Sequence, residues 1–235
     1  MAHGGPDIQS GRELTSSAKA RGWLASGWFT PDYRPLAENL ARQMHFHGVP
    51  YHLYGVNKMG SWSREVLRKP TMILRAMREH PDQVLIFMDV DCQVCGPLDE
   101  ATGGSADVTC SLYVKRQRGR QRSELSSRVI VIRPTPGARK LVESWALACQ
   151  EANTIAPDQS DEAMLMVALA RSTGALWTSI DPRFAGLEVT VAPKGSVIVH
   201  ESAHEHSTTV GRFNRHVKSW RRFVFGSTTT NFALK

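Results

Sequence analysis

Two aspartates separated by a single residue, Asp89 and Asp91, follow the apolar run Val84-Leu85-Ile86-Phe87-Met88. Carboxylates this close repel and raise each other's pKa unless a cation lies between them. A divalent metal is the economical partner, and a metal on hard oxygen ligands commonly serves a diphosphate. The apolar run reads as a strand buried on both faces by helices, as in a parallel sheet. Alternation along it would turn Asp89 and Asp91 the same way and Val90 into the opposite layer. Both carboxylates would then stand at the carboxyl end of the strand, where open α/β sheets hold ligands.

Other residues suited to chemistry are scattered. Val197-Ile198-Val199-His200 repeats the logic of an apolar run ending in a coordinating side chain. His204 and His206 follow it closely, together with Glu201 and Glu205, as a metal cluster or a solvated loop. Cys92 and Cys95 have the spacing of a zinc or redox pair, but no second close pair completes a four-thiolate site. Reduced cysteines of a cytosolic protein explain all four.

The elements that would position these residues follow from periodicity. Trp23 to Phe29 reads as a first core strand, with Thr30 or Asp32 capping a helix that carries Leu36, Leu40, Met44 and His47. Gly48-Val49-Pro50 ends it, Tyr51 to Val56 is a second strand, and Gly55 to Ser63 is a loop. A helix buries Val66, Leu67, Ile73, Leu74 and Met77, with a kink or boundary at Pro70, and leads into the acidic strand. This succession is that of a doubly wound α/β unit. Beyond Pro97 the pattern weakens. Ala106 to Val114 suggests an edge strand, Lys115 to Arg122 an exposed basic loop, and Val129 to Ile132 a short strand. Helices from Thr135-Pro136-Gly137 and from Asp158 or Asp161 precede short strands near Leu176 to Ile180 and Val197 to His200.

Composition sets wider bounds. The 235 residues are 41% hydrophobic and 22% charged, ordinary for one α/β domain with small extensions. No apolar stretch is long enough to span a membrane, and the N-terminus lacks the pattern of a secretory signal. A cytoplasmic location is expected. The net charge of +7 favours anionic partners without choosing among them.

With these features in place, the chain resembles the GT-A-type glycosyltransferases, in particular small bacterial and phage nucleotide-diphospho-sugar transferases. The likeness rests on Trp28-Phe29-Thr30-Pro31-Asp32-Tyr33, Lys69-Pro70, Phe87-Met88-Asp89-Val90-Asp91, Val131-Ile132-Arg133-Pro134-Thr135-Pro136 before the Trp145 helix, and the acidic stretch Asp158 to Glu162. It implies a single α/β domain over residues 22–210, with a mostly parallel central sheet flanked by helices. A polar tail would occupy 1–21 and a basic aromatic extension 211–235. It implies Mn2+ or Mg2+ held by Asp91 and Asp89, with His200 completing the site and Asp89 acting through water or on the ribose. Phe29, Thr30 and Tyr33 would receive base and ribose, and Lys69 would face the donor pocket. Asp161, or else Asp158, would take the acceptor's proton, with helix capping as the competing role for both. Ser126-Ser127-Arg128 departs from the usual serine–glycine pair, and Arg128 there would narrow the sugar pocket or bind a phosphate.

The expected function is therefore metal-dependent, hexosyltransferase-like transfer of a sugar from a nucleoside-diphosphate sugar to a hydroxyl of a glycan or lipid-linked glycan, in surface glycan synthesis. A nucleotidyltransferase is the alternative, although residues 22–31 offer no good glycine-rich phosphate loop. A non-catalytic nucleotide-sugar-binding protein is the other. The basic runs Lys115 to Arg122 and Arg212 to Arg222 suit solvated loops or, for the second with its interleaved aromatics, peripheral contact with an anionic inner membrane face. No pattern for specific nucleic-acid recognition accompanies them.

Overall fold

The computed structural model describes residues 13–16, 21–117, 120–155, 159–188 and 192–200. Its elements are β1 (Leu14–Thr15), β2 (Trp23–Phe29), α1 (Arg34–Phe46), β3 (Tyr51–Gly55), α2 (Trp62–Val66), α3 (Lys69–Glu79), β4 (Val84–Met88) and β5 (Cys92–Val94). They continue with β6 (Val108–Gln117), β7 (Arg120–Ile132), α4 (Pro136–Ile155), α5 (Asp161–Arg171), β8 (Trp177–Ser179), β9 (Leu187–Glu188) and β10 (Ile198–His200).

Seven strands form one sheet in the order β1-β3-β2-β4-β7-β6-β8. The β3–β2, β2–β4 and β6–β8 pairs are parallel, whereas β1–β3, β4–β7 and β7–β6 are antiparallel. The sheet is thus mixed, which corrects the expectation of a mostly parallel one. The first half of the chain crosses over through helices and makes the parallel β3–β2 and β2–β4 pairs. The long β6–β7 hairpin then inserts two strands without a crossover, and a hairpin can only be antiparallel.

Side chains of β4 alternate between two cores. Leu85 and Phe87 join the cluster containing Ile73, Met77, Leu141, Trp145 and Leu165 from α3, α4 and α5. Ile86 and Met88 join Leu40 and Met44 of α1 on the other face. Burial on both sides is why this run is apolar without a break. Gly27 lets β2 lie close against it, since a Cβ there would come within 2.6 Å of the Met88 carbonyl oxygen.

Three further expectations are revised. Within the stretch expected to be a polar tail, Leu14 and Thr15 pair antiparallel with Leu53 and His52. Glu13 beside them bonds to His52 and Arg75. Two residues set between Glu13 and Ser16 carry no periodicity, so this edge strand was not legible. The supposed basic loop is mostly strand, because the β6–β7 register runs on to Gln117 opposite Arg120. β6 is consequently interior to the sheet, and β8 forms the edge. The basic extension 211–235, with His204 and His206, lies outside the described residues.

Candidate functional site

The acidic strand ends as expected, but the carboxylates are carried by a turn rather than by the strand. The Asp89 amide still donates to the Arg128 carbonyl, continuing the β4–β7 ladder, and the Cys92 amide then donates back to the Asp89 carbonyl at 3.0 Å. This i-to-i+3 closure spans Asp89 to Cys92. Val90 is buried in the α1-side core, while the two aspartates address different partners. Asp89 Oδ1 lies 2.8 Å from Lys69 Nζ, and Asp91 Oδ2 lies 3.1 Å from His200 Nε2.

Lys69 stands at the start of α3, with Pro70 in the first turn where a missing amide hydrogen has no cost. Only 4% of Lys69 is exposed. Its ammonium also meets Asp161 Oδ2 at 3.0 Å and the Ser127 hydroxyl at 2.9 Å. Ser127 in turn donates to Asp161 Oδ2 at 2.5 Å. Asp161 opens α5, where Ser160 caps the helix by accepting from the Ala163 amide. The Asp161 carbonyl accepts from the Trp145 indole at 2.8 Å, tying α5 to α4 beneath the site.

Ser127 and Arg128 reach this cluster because the β6–β7 ladder slips. Cys110 pairs with Ile130, but Ser111 pairs with Ser126. Residues 127–129 therefore bulge from the hairpin, and a bulge re-aims side chains. The Ser126-Ser127-Arg128 departure noted in the sequence is this bulge. On the other side, β2 ends at Phe29, Thr30 is buried, and a 3-10 turn carries Asp32 and Tyr33.

These groups line one cleft of about 520 Å³. Among the described residues it brings together Phe29, Thr30, Tyr33, Lys69, Asp89, Asp91, Arg128, Asp161 and His200. Asp158 lies outside the described residues. Sequence reading assigned no site role to Asp32, Lys58, Glu65, Ser127 or Glu162, which also line the cleft. Asp32 next to Tyr33, Ser127 beside Arg128 and Glu162 next to Asp161 each adjoin a residue singled out in the sequence, whereas Lys58 and Glu65 do not.

The electrostatics are the reverse of the chain's overall balance. Asp32, Glu65, Asp89, Asp91, Asp161 and Glu162 face the cleft against Lys58, Lys69 and Arg128. Asp89 is raised to about 6 in all, because burial and then the Asp91 and Asp161 charges push it up by more than Lys69 pulls it down. For Lys69 burial opposes the charge, but Asp161 and Asp89 outweigh it and hold the ammonium firmly protonated. Burial, then Asp161, raises Glu162 above the ordinary carboxylate range. Burial and then the Asp91 and Asp89 charges keep the Tyr33 hydroxyl protonated. The cleft has an excess of carboxylate, so a polyanion could enter only with a cation beside it.

A separate His/Glu cluster able to coordinate a divalent metal lies outside this cleft. His52, Glu79 and His80 place ligand atoms within 4.8 Å of one another at the opposite end of α3 from Lys69. The Cys92–Cys95 spacing forms no such cluster among the described residues, with Cys92 buried and Cys95 exposed.

Three solved structures share this arrangement of elements. A glycosyltransferase involved in glycosylation of the major capsid of PBCV-1 aligns over 82% of this chain and 98% of its own, with a TM-score of 0.58 and 16% identity. The chain has a GT-A-like glycosyltransferase fold. The glycosyltransferase GlyE of Streptococcus pneumoniae TIGR4 aligns over 90% of this chain and 66% of its own, with a TM-score of 0.54 and 10% identity. The galactosyltransferase LgtC, solved with donor and acceptor sugar analogs, aligns over 89% and 98%, with a TM-score of 0.54 and 11% identity. No protein-family profile and no curated protein matches the sequence. At such identities the likeness is one of fold.

Proposed function

We propose that this GT-A-like domain transfers a sugar from a nucleoside-diphosphate sugar to a hydroxyl acceptor with the help of Mn2+ or Mg2+. The observation that carries the reading is the Asp89–Cys92 turn, which presents one carboxylate to His200 and the other to Lys69 across a single cleft. The fold supports it, because LgtC holds donor and acceptor sugar analogs on the same architecture.

The residues fit a hard divalent ion. The 3.1 Å between Asp91 Oδ2 and His200 Nε2 matches the roughly 3 Å separating adjacent ligands on an octahedral ion with bonds of about 2.1 Å. Asp91 and His200 would hold it, and Asp89, tied to Lys69, would reach it through water or bond the ribose. When bound, the ion would neutralise charge on the departing nucleoside diphosphate. Phe29, Thr30 and Tyr33 would receive base and ribose from the end of β2, with Tyr33 as a hydrogen-bond donor. Arg128 on the bulge would contact a phosphate or limit the size of the sugar.

For the acid–base step the reading keeps the start of α5. Asp161 Oδ2 is engaged by Lys69 and Ser127, so it serves first to position the lysine, and only its other oxygen could accept a proton. Glu162, half-buried on the same cleft and raised above its ordinary value by burial and Asp161, is better matched to take the acceptor's proton. Asp158 keeps its candidacy from the sequence alone. The acceptor in this reading is a glycan or lipid-linked glycan hydroxyl, met at the cytoplasmic membrane face through the 211–235 extension.

The test is a panel of nucleoside-diphosphate sugars screened for Mn2+-dependent hydrolysis beside Asp91→Ala. Turnover should fall by about a hundredfold or more in the variant with the fold intact. Unchanged turnover in Asp91→Ala would remove the assigned role. Nucleotide-sugar binding without any turnover would favour the non-catalytic binder.

A further inference from the structure

The far end of α3 carries a second convergence of ligating groups, remote from the cleft. His52 is the second residue of β3, Glu79 closes α3, and His80 follows it. His52 Nδ1 lies 3.0 Å from His80 Nε2 and 4.0 Å from Glu79 Oε2. Behind the ring, His52 Nε2 donates to Glu13 Oε2 at 2.9 Å. That bond fixes the tautomer of a neutral His52 and turns its Nδ1 lone pair toward His80 and Glu79.

Arg75 organises the carboxylates. Its Nη2 donates to Glu13 Oε1 at 2.8 Å and its Nε to Glu79 Oε1 at 2.7 Å. Each glutamate therefore gives one oxygen to Arg75 and keeps the other toward the imidazoles. A carboxylate behind a histidine orients the ring and raises its basicity, which is the arrangement that supports metal-ligating histidines. Two imidazole nitrogens and one carboxylate oxygen are a donor set suited to Zn2+, with a fourth position for water. Two glutamates outweigh the single guanidinium, so the local charge attracts a cation.

We propose that His52, Glu79 and His80 form a zinc site, with Glu13 positioning His52. The site is structural. It ties the residues beside β1, through Glu13, to β3 and to the end of α3, about 15 Å along that helix from Lys69. The ion takes the place of the hydrogen shared by His52 Nδ1 and His80 Nε2, and that proton moves to His80 Nδ1 or to solvent. The proposal stands independently of the function assigned to the cleft.

Zinc is titrated into the full chain against a chromophoric chelator, with melting followed in parallel, for the wild type, Asp91→Ala, His80→Ala and Glu79→Gln. One equivalent should persist in Asp91→Ala and be lost in His80→Ala, and Glu79→Gln should bind at least about tenfold more weakly. At a hundredfold excess over Kd, zinc should raise Tm by about 5–10 °C in the wild type and leave His80→Ala unmoved. His80 is the C-cap residue of α3, and circular dichroism on the variant serves as the control for folding. Wild-type stoichiometry and Tm rise in both His80→Ala and Glu79→Gln would overturn the proposal. So would an equivalent lost only in Asp91→Ala, which would place the zinc in the cleft.

Discussion

Replacing Lys69 with methionine tests whether this lysine holds the floor of the cleft together. The substitution keeps most of the side-chain volume and removes the charge between Asp89 Oδ1 at 2.8 Å and Asp161 Oδ2 at 3.0 Å. At an effective dielectric constant of 20 each contact is worth about 6 kcal/mol of attraction before desolvation. Much of that is offset by burying the ions, and breaking one buried pair costs about 3–5 kcal/mol because a charge is left uncompensated. We therefore expect Lys69→Met to lose about 3–5 kcal/mol in metal-free urea denaturation at about pH 7.5. The pH dependence carries the sharper information. Asp89 is raised from 3.8 to about 6 in the folded protein. The native state therefore binds its proton more tightly than the unfolded chain, a contribution present below the unfolded value and lost as pH rises through about 6. Without Lys69 the proton is held more tightly still. The deficit of the variant should thus shrink toward about pH 5, where a protonated Asp89 no longer needs a cation. Adding Asp161→Asn to Lys69→Met should recover about half the loss at neutral pH. A deficit under about 1 kcal/mol, unchanged between the two pH values, would refute the electrostatic account of this site.

Gly27→Ala should destabilise the protein by about 1–3 kcal/mol in the same urea assay, because its Cβ would meet the Met88 carbonyl at 2.6 Å and push β4 from β2. A neutral effect would show that the strands separate freely. Glu162→Gln should lower transferase or hydrolysis kcat by about 10²–10⁴-fold. In the wild type kcat should rise with pH through the elevated Glu162 pKa, since the carboxylate accepts a proton only when ionised. That limb should disappear in the variant, and its persistence would assign it to another group.

The chain's order along its first half was legible because each element carries its own local periodicity. Apolar continuity in Val84–Met88 marks a strand covered on both faces, and the four-residue recurrence of Leu36, Leu40 and Met44 marks one side of a helix. The carboxyl end of that strand was legible for the same reason, since Asp89 and Asp91 interrupt an otherwise buried run. The apolar run before His200 marked that residue too, the resemblance of local motifs added Lys69 and Asp161, and Arg128 stood out as a departure from the resemblance.

Their relations were decided only by tertiary structure. Lys69, Ser127 and Asp161 are separated by 58 and 34 residues, yet they share one hydrogen-bonded cluster. A register slip in the β6–β7 hairpin produces that meeting, and register depends on pairing with a distant strand rather than on local propensity. The direction of β7 was invisible for a similar reason: an apolar strand reads alike whether its neighbour runs with it or against it. The partition of the two aspartates, one to Lys69 and one to His200, likewise needed the Asp89–Cys92 turn. Residue types and their periodicity thus determined which groups could do chemistry and which elements carry them. Long-range packing determined which groups meet, because charge pairing depends on distances that sequence separation does not encode.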